Sequence, residues 1–599
     1  MCLALVFSLA GCNSASQTES TPADSSAAQG SSTAESSQSS PDASRTGTES
    51  SADAQITSAE PEYKDKLFGK DVLEISITTE EADWENLMDN AADKPWIQCD
   101  ITIDGETFKD VGLKTKGNTS LQQLVKDESE RYSLKVSFGK YVDGQSCYGL
   151  DKLALNNIYA DSTYLKEYMS YDLLNYMQVP SSLCTFADIT VNGRHYGFFL
   201  AVEDADDSYL DRIYGSDSNV KGYKPESMDM AAMPDGGNMP QMPGENGDGD
   251  NNGNAQMPAP PEGAGFPQMP GQSSDGDNNG NAQMPAPPNG DNSDFPQMPD
   301  GENMPRMPGG DGMPGGMNSA KNGVDLKYTD DSFDSYSNIF DNNINKIEDE
   351  DKQRLIASLK NISSGEKLEE SINVDEVLRY TACNVFLVNL DSYLSSNCHN
   401  YILTELDGQL SMLPWDYNLS FGSYQCESAD TAVNYAIDTV FSGVSAEERP
   451  IISKLLEKDE YSEKYHQYLQ EIAEKYVQSG KFAETVDKVA SVIDSRVKAD
   501  TTSFDGYDAF TEGVTTLKAF TELRAKSVLG QLDGTIPSTT EKQKDSDKLI
   551  DASSVDIKKL GTMNMGGEGG QGGMPGIPGQ QNQPGQQAQP GQSEQSDQS

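Results

Sequence analysis

The pattern of apolar and polar positions predicts a β-rich start to the folded part of the chain. In several segments apolar residues alternate with polar ones, which is the period of a half-buried strand. These segments are 72–77, 97–103, 107–113, 131–138, 184–191 and 196–202. Asp104-Gly105 and Asn192-Gly193 each separate two neighbouring segments, and such dipeptides favour two-residue turns. We therefore expect two hairpins among these strands.

Helical spacing dominates the second half of the chain. Apolar residues recur three and four positions apart, as on one face of a helix. The predicted helices are 332–346, 350–359, 374–390, 445–458, 462–477, 482–499 and 514–532, after two earlier ones at 80–88 and 161–177. Ser445 and Glu448 have the spacing of a capping box. The sequence therefore predicts an α+β protein with a β-rich N-terminal part and a helical C-terminal part.

One predicted hairpin interrupts the helical half. Its strands, 401–403 and 410–413, flank Asp407-Gly408. Asp391 precedes this hairpin and Asp416 follows it. Because a hairpin brings its ends together, we expect Asp391 and Asn400 to lie near Asp416. Two carboxylates and an amide suit a hard cation bound to phosphates, whereas the alternative is that both acids are ordinary turn residues.

Three stretches have compositions that cannot bury a core. Residues 13–62 are rich in Ser and Thr, residues 228–322 in Met, Pro, Gly and Asn, and residues 536–599 in Gly, Gln and Pro. We expect a disordered tether, a disordered insertion and a low-complexity tail, respectively. The predicted folded domain is then 63–535, interrupted by the insertion.

Charge and the N-terminus bear on location and partners. The formal net charge of −52 argues against a nucleic-acid-binding surface. Residues 1–12 are apolar and end in Leu9-Ala10-Gly11-Cys12, which resembles a bacterial lipoprotein signal peptide with Cys12 as the lipidated residue. We therefore expect a lipid anchor on the extracellular face of a Gram-positive-type membrane. The cysteines show no CxxC spacing, so a zinc site is not expected.

Five separate motifs occur in an order that points to one family. They are KGNTS at 116–120, LALN at 153–156 followed by Asp161, VNG at 191–193 leading to Glu203, NLD at 389–391 with HNY at 399–401, and PWDYN at 414–418. Their order and content resemble the CotH family of spore-coat-type atypical protein kinases, over about 70–530. Conventional kinase signatures do not occur: the sequence has no GxGxxG loop before a VAIK-like lysine, no HRD and no DFG.

The resemblance implies a divergent protein-kinase-like fold, ATP with Mg²⁺ or Mn²⁺, and phosphorylation of serine-containing proteins. Asp391 resembles the catalytic-loop aspartate that orients the acceptor hydroxyl, and Asp416 resembles the metal-binding aspartate. Asn400 is the expected second metal ligand, with Asn397 as its competitor because conventional kinases place this residue closer to the catalytic aspartate.

The resemblance also assigns a nucleotide-binding set. Lys116 is expected in a glycine-containing turn, in place of the Arg typical of this motif, and Lys224 lies just before the insertion. Lys135 is either a phosphate ligand or part of a solvated strand face. Glu203 either pairs with a lysine, as in kinases, or is a plain loop acid. Trp415 is expected either to pack on adenine or to belong to the core.

The expected acceptor is a serine-containing surface or coat protein, or the serine-rich tether of the chain itself, which would lie at high effective concentration. The alternative function, of another class, is a non-catalytic binding or adhesion module displayed at the cell surface. The anchor, the tether and the insertion all suit such a display role.

Overall fold

The computed structural model describes residues 60–227, 322–561 and 563. The predicted signal peptide with Cys12, most of the tether, nearly all of the insertion and the end of the tail lie outside the described residues. None of the described helices is long and apolar enough to cross a membrane.

Seven strands form the N-terminal part and close into a barrel. They are β1 (Val72–Thr78), β2 (Ile97–Ile103), β3 (Glu106–Lys116), β4 (Ser133–Ser137), β5 (Lys152–Asn156), β6 (Cys184–Val191) and β7 (Arg194–Glu203). The strand order is β1-β2-β3-β4-β5-β7-β6, and the parallel pairing of β1 with β6 closes the sheet. Alternate residues such as Ile75, Leu113, Leu134 and Ile189 fill the interior, so the barrel is a packed core.

A second, three-stranded sheet lies in the helical part. Its strands are β8 (Lys221–Tyr223), β9 (Tyr401–Leu406) and β10 (Gln409–Pro414), in the order β10-β9-β8. Strands β9 and β10 form a hairpin whose register pairs Tyr401 with Pro414. Strand β8 pairs with β9 although residues 224–400 lie between the two strands along the chain.

The described α-helices pack against the second sheet, against strands of the barrel and against one another. They are α1 (Glu81–Asp89), α2 (Thr119–Lys126), α3 (Lys166–Tyr176), α4 (Asp207–Tyr214), α5 (Ser337–Asp341), α6 (Asp349–Ser364), α7 (Leu368–Ser371), α8 (Val374–Leu387), α9 (Ala429–Val433), α10 (Pro450–Leu456), α11 (Asp459–Glu471), α12 (Lys481–Ala499), α13 (Gly506–Leu532) and α14 (Thr540–Gln543). A π-helical segment, Ile472–Gln478, continues α11. The main core joins α3, α8 and α13 to Phe186 and Phe198, which lie on the outer face of the barrel.

The described structure confirms the α+β class, with a β-rich N-terminal part and a helical C-terminal part. Both barrel hairpins and the hairpin at Asp407-Gly408 form where their turn dipeptides predict them. The closure of the barrel was not predicted, because the β1–β6 pairing joins segments more than a hundred residues apart, and nothing local in the sequence encodes it.

Some boundaries were predicted wrongly. Residues 332–346 are helical only to Asp341, because Asn343 bridges to Tyr223 instead. Ser445 makes no side-chain cap, so the predicted capping box does not form. The folded part also continues beyond 535, because residues 536–561 contribute buried side chains: Ile536, Ala552, Val555, Ile557 and Leu560.

Candidate active site

A cavity of about 340 Å³ lies between the outer face of the barrel and the second sheet. Its walls come from the end of β3, the segment around residue 160, the end of β8, the turn after α8 and the residues after β10. Seven of the predicted site residues line it: Lys116, Lys135, Lys224, Asp391, Asn400, Trp415 and Asp416. Glu203 is not among the lining residues.

Asp391 lies in the turn that follows α8 and is held by three side chains. Its carboxylate accepts hydrogen bonds from Asn397 Nδ2 at 2.8 Å, His399 Nε2 at 2.7 Å and Asn400 Nδ2 at 2.9 Å. The His399 ring also lies 3.1 Å, through Nδ1, from the hydroxyl of Ser227. These bonds fix the direction of the carboxylate before any substrate binds.

A buried arginine holds the same turn from the other side. Arg449 is fully buried, and its guanidinium donates to the carbonyl oxygens of Tyr393 at 2.7 Å and Ser395 at 2.6 Å. A guanidinium presents its donors in a fixed planar fork, so it constrains the two carbonyls relative to each other. The position of Asp391 therefore depends on a residue far along the chain.

Asp416 follows β10 and faces the same cavity as Asp391. Its φ of 59° and the φ of 57° at Asn400 are left-handed, a conformation that Asp and Asn adopt more readily than most residues. The register of the β9–β10 hairpin sets these two residues beside the paired ends Tyr401 and Pro414. Burial would lower the pKa of His399, but the hydrogen bond and charge of Asp391, with the charge of Asp416, raise it. The expectation that the hairpin brings the two acids to one site is thus confirmed.

Glu167, on α3, is a buried acid of the site that the sequence did not reveal. Burial, followed by the nearby charge of Asp416, raises its pKa to about 7. Its carboxylate accepts hydrogen bonds from Asn156 at 2.8 Å and Tyr171 at 3.0 Å, and Lys116 donates to Asn156 at 2.8 Å. An acid inside a helical pattern carries no sequence signal that separates it from a solvated one.

The oxygen donors of the site have the chemistry that suits a divalent cation. Within the described ranges no group of three or more His, Cys, Asp and Glu side chains forms a complete metal site. Asp416 and Glu167 nevertheless lie close enough for the charge of one to raise the pKa of the other. The amide nitrogen of Asn400 points to Asp391, which leaves its oxygen as a third possible ligand. Mg²⁺ commonly takes one or two carboxylates and completes its shell with phosphate oxygens and water.

Lys135 and Lys224 present positive charge to the cavity, and a carboxylate holds Lys135. Lys135 Nζ lies 2.5 Å from a carboxylate oxygen of Asp204. Burial disfavours the charged form of Asp204, but the charges of Lys135 and Lys224 outweigh it and lower its pKa to about 2. Burial also lowers the pKa of Lys224, to about 8. Both lysines are thus partly desolvated cations, which interact strongly with anions.

The expectation that Glu203 pairs with a lysine was wrong, and so was the alternative of a plain loop acid. Glu203 is fully buried and pairs with Arg212 at 2.5 Å, while the hydroxyl of Tyr63 donates to it at 2.7 Å. The acid that holds a cavity lysine is its neighbour Asp204. Successive side chains at the end of a strand point to opposite sides. An assignment that is wrong by one residue therefore exchanges the acid that faces the cavity lysine with the acid that faces Arg212.

For Trp415 the structure favours one of the two expectations, whereas Lys116 departs from what was expected. Trp415 is only 5% exposed and packs among Tyr209, Leu210 and Leu413, which favours the expectation of a core residue. The Nζ atoms of Lys224 and Lys116 lie 4.0 and 5.3 Å from its ring centroid, so the ring contacts two of the cavity lysines. Lys116 is the last residue of β3 and precedes the glycine turn instead of lying within it.

A family model described as CotH kinase protein matches residues 113–257 and 310–528. The match covers more than half of the chain and includes every predicted site residue except Cys12. No curated protein matches the chain.

Proposed function

Because the chain belongs to the CotH kinase protein family, we propose that it is a protein kinase that transfers the γ-phosphoryl group of ATP to serine hydroxyls of proteins. The observation that supports this proposal is the convergence of Asp391, Asp416 and three lysines on one cavity. A β-rich part and a helical part with the cavity between them also support a divergent protein-kinase-like fold.

The proposed reaction forms one bond and breaks one bond at phosphorus. The serine Oγ attacks the γ-phosphorus, the bond from that phosphorus to the bridging oxygen breaks, and ADP leaves. The serine proton passes to Asp391. A carboxylate offers about four acceptor positions, and three at Asp391 are filled by Asn397, His399 and Asn400. The remaining position would accept the serine hydroxyl, so the three donors orient the acid toward its substrate.

The other residues of the cavity would bind and neutralise the triphosphate. Lys116, Lys135 and Lys224 supply positive charge at the phosphates. When bound, Mg²⁺ or Mn²⁺ supplies the charge neutralisation that phosphoryl transfer needs. Asp416, Glu167 and the amide oxygen of Asn400 would hold that ion.

We also propose that the protein acts outside the cytoplasm, anchored through Cys12, on a serine-containing surface or coat protein. Its own tether is a second candidate acceptor. The sequence Leu9-Ala10-Gly11-Cys12 supports the anchor. Replacing Cys12→Ser should release the expressed protein from the membrane fraction into the medium, and an unchanged distribution would contradict the anchor.

The kinase proposal can be tested with the full chain, radiolabelled ATP and Mg²⁺ or Mn²⁺, using dephosphorylated casein as a serine-rich acceptor. Asp391→Ala and Asp416→Ala should each reduce transfer by roughly 10²-fold or more. Asp487→Ala removes an exposed acid on α12 and serves as the matched control, with transfer expected at the parent rate. Absence of label from both casein and the chain, with the parent equal to the two active-site variants, would favour the non-catalytic surface module.

A further inference from the structure

A row of residues extends from the cavity along the outer face of the barrel. Gly112, Lys114 and Lys116 alternate along β3 and therefore share that face. Lys140 and Trp96 pack directly over Gly112, where an added Cβ would lie 2.6 Å from Lys140 Cβ and 3.0 Å from Trp96 Cε3. The glycine is thus needed for the close approach of these two side chains.

Trp96 lies between two lysines. The Nζ atoms of Lys114 and Lys140 are 4.8 and 5.1 Å from its ring centroid. Tyr141 and Val142, which follow Lys140 in the chain, are 44% and 37% exposed. The Tyr141 hydroxyl lies 3.5 Å from the carbonyl oxygen of Trp96. We call these five residues, Trp96, Lys114, Lys140, Tyr141 and Val142, the Trp96 patch.

The patch is positively charged in a strongly acidic chain. Burial, and then the charges of Lys135 and Lys94, lower the pKa of Lys114, and Lys140 adds to the same effect. Among the ion pairs described within residues 60–227, 322–561 and 563, none involves Lys114 or Lys140. The net charge of −52 is that of the whole chain, and charges more than about 8 Å from the patch are largely screened at physiological ionic strength.

The patch is also unusually apolar for an exposed surface. The described part of the chain exposes three large apolar side chains, Val125, Tyr141 and Val142, and two of them belong to the patch. Exposed apolar groups beside cations are typical of surfaces that bind a partner. Lys114 lines the cavity as well, so the patch is continuous with the site that contains Asp391.

We propose that the Trp96 patch docks the acceptor, and that its preferred acceptors are segments in which serine is flanked by Asp or Glu. The proposal rests on the proposed kinase function and names its substrate class. Carboxylates of the acceptor pair with Lys114 and Lys140, while its apolar atoms cover Trp96, Tyr141 and Val142. A segment bound there leads along β3 toward Asp391. The chain itself contains segments of this kind, such as Ser593-Glu594 and Ser596-Asp597.

A peptide with the sequence of residues 588–599 provides the probe, and its double variant Glu594→Gln, Asp597→Asn is the neutral match. Binding to the full-length protein is measured by fluorescence anisotropy without ATP, and transfer is measured with ATP. Each exposed lysine–carboxylate pair contributes a factor of about 1.5 to 5. We therefore expect the acidic peptide to bind roughly fivefold tighter than the neutral one at low salt, and the ratio to approach one in 0.5 M NaCl.

Lys140→Glu tests the patch outside the cavity lining, and Lys488→Glu, an exposed lysine on α12, controls for the change in net charge. Lys140→Glu should abolish or reverse the preference for the acidic peptide, and Lys488→Glu should preserve it. An equal affinity of the parent for both peptides would overturn the proposal. So would a Lys140→Glu variant that keeps the preference, or one that raises only the KM for ATP.

The two proposals fail separately in this experiment. If the peptide preference holds in the binding assay while no acceptor is phosphorylated, docking is supported and the kinase function is wrong. If casein is phosphorylated by the parent but the acidic peptide has no advantage in either assay, the kinase function stands and the docking proposal is wrong.

Discussion

Replacing Asp204→Asn removes the carboxylate that holds Lys135, and its effect on stability can be estimated from the structure. Asp204 is 2% exposed, and its pKa of about 2 in the folded protein compares with 3.8 for the free side chain. Each pH unit between the folded and unfolded pKa is worth about 1.4 kcal/mol. The carboxylate thus contributes about 2.5 kcal/mol to the free energy of unfolding at neutral pH.

The pH dependence of this contribution follows from its direction. Because the folded pKa lies below the unfolded one, the stabilisation is fully present above pH 3.8 and is lost as the pH falls toward 2. Urea unfolding of the parent and of Asp204→Asn, followed by circular dichroism at pH 7 and at several values between 4.5 and 2.5, measures the difference. The two curves should differ by about 2.5 kcal/mol at pH 7 and converge in acid.

The comparison between the two proteins cancels the titration of the many other acids. A difference in unfolding free energy that is below about 0.5 kcal/mol at pH 7, or that does not shrink toward pH 2.5, would refute this reasoning, because it would mean that the pair lies in a solvated environment. Asp487→Asn, which removes an exposed partner of Lys518, gives the size expected for such a solvated pair.

Three further predictions concern positions away from the phosphates. Arg449→Lys should lower kcat by about tenfold or more with little change in the KM for ATP, because the planar guanidinium that spaces two carbonyls of the Asp391 turn is lost. An unchanged kcat in the folded variant would show that the turn keeps its shape without the guanidinium. Glu203→Gln should cost about 3–5 kcal/mol of stability, measured by urea unfolding, because it leaves the guanidinium of Arg212 buried without its carboxylate, and an altered KM for ATP with normal stability would argue against this structural role. Truncation after Thr535 should destabilise the chain by about 5 kcal/mol or more, because residues 536–560 bury four large aliphatic side chains in addition to Ala552. Truncation after residue 563 is the control, and equal melting temperatures for the two truncations would contradict the extended boundary.

The local signals of the sequence predicted the acidic half of the site well. Alternation on both sides of Asp407-Gly408 defines the β9–β10 hairpin, and the hairpin then requires Asp391, Asn400 and Asp416 to approach each other. Turn dipeptides and the period of apolar residues depend on a few neighbouring residues, so they can be recognised in the sequence without tertiary information.

The partners of the lysines and the burial of Glu167 were harder to predict from the sequence, for physical reasons. Whether Glu203 or Asp204 meets a lysine depends on where β7 ends, and strand ends are the least certain part of a pattern. The burial of Glu167 depends on what packs against α3, and these contacts come from β6, α8 and the π-helical segment 472–478, of which the last two follow much later in the sequence. The folded segment 536–561 has widely spaced apolar residues inside a polar composition, so its contacts with α13 could not be inferred from composition.

The pairing of β8 with β9 across residues 228–321 has a consequence for the entropy of folding. Joining Tyr223 to Leu403 closes a loop, and residues 228–321 make up about half of the length of that loop. The cost of closing a loop grows only with the logarithm of its length, so doubling it costs about 0.6 kcal/mol. By chain length alone, a long segment can therefore enter the chain next to the cavity at a thermodynamic cost smaller than that of one average point mutation.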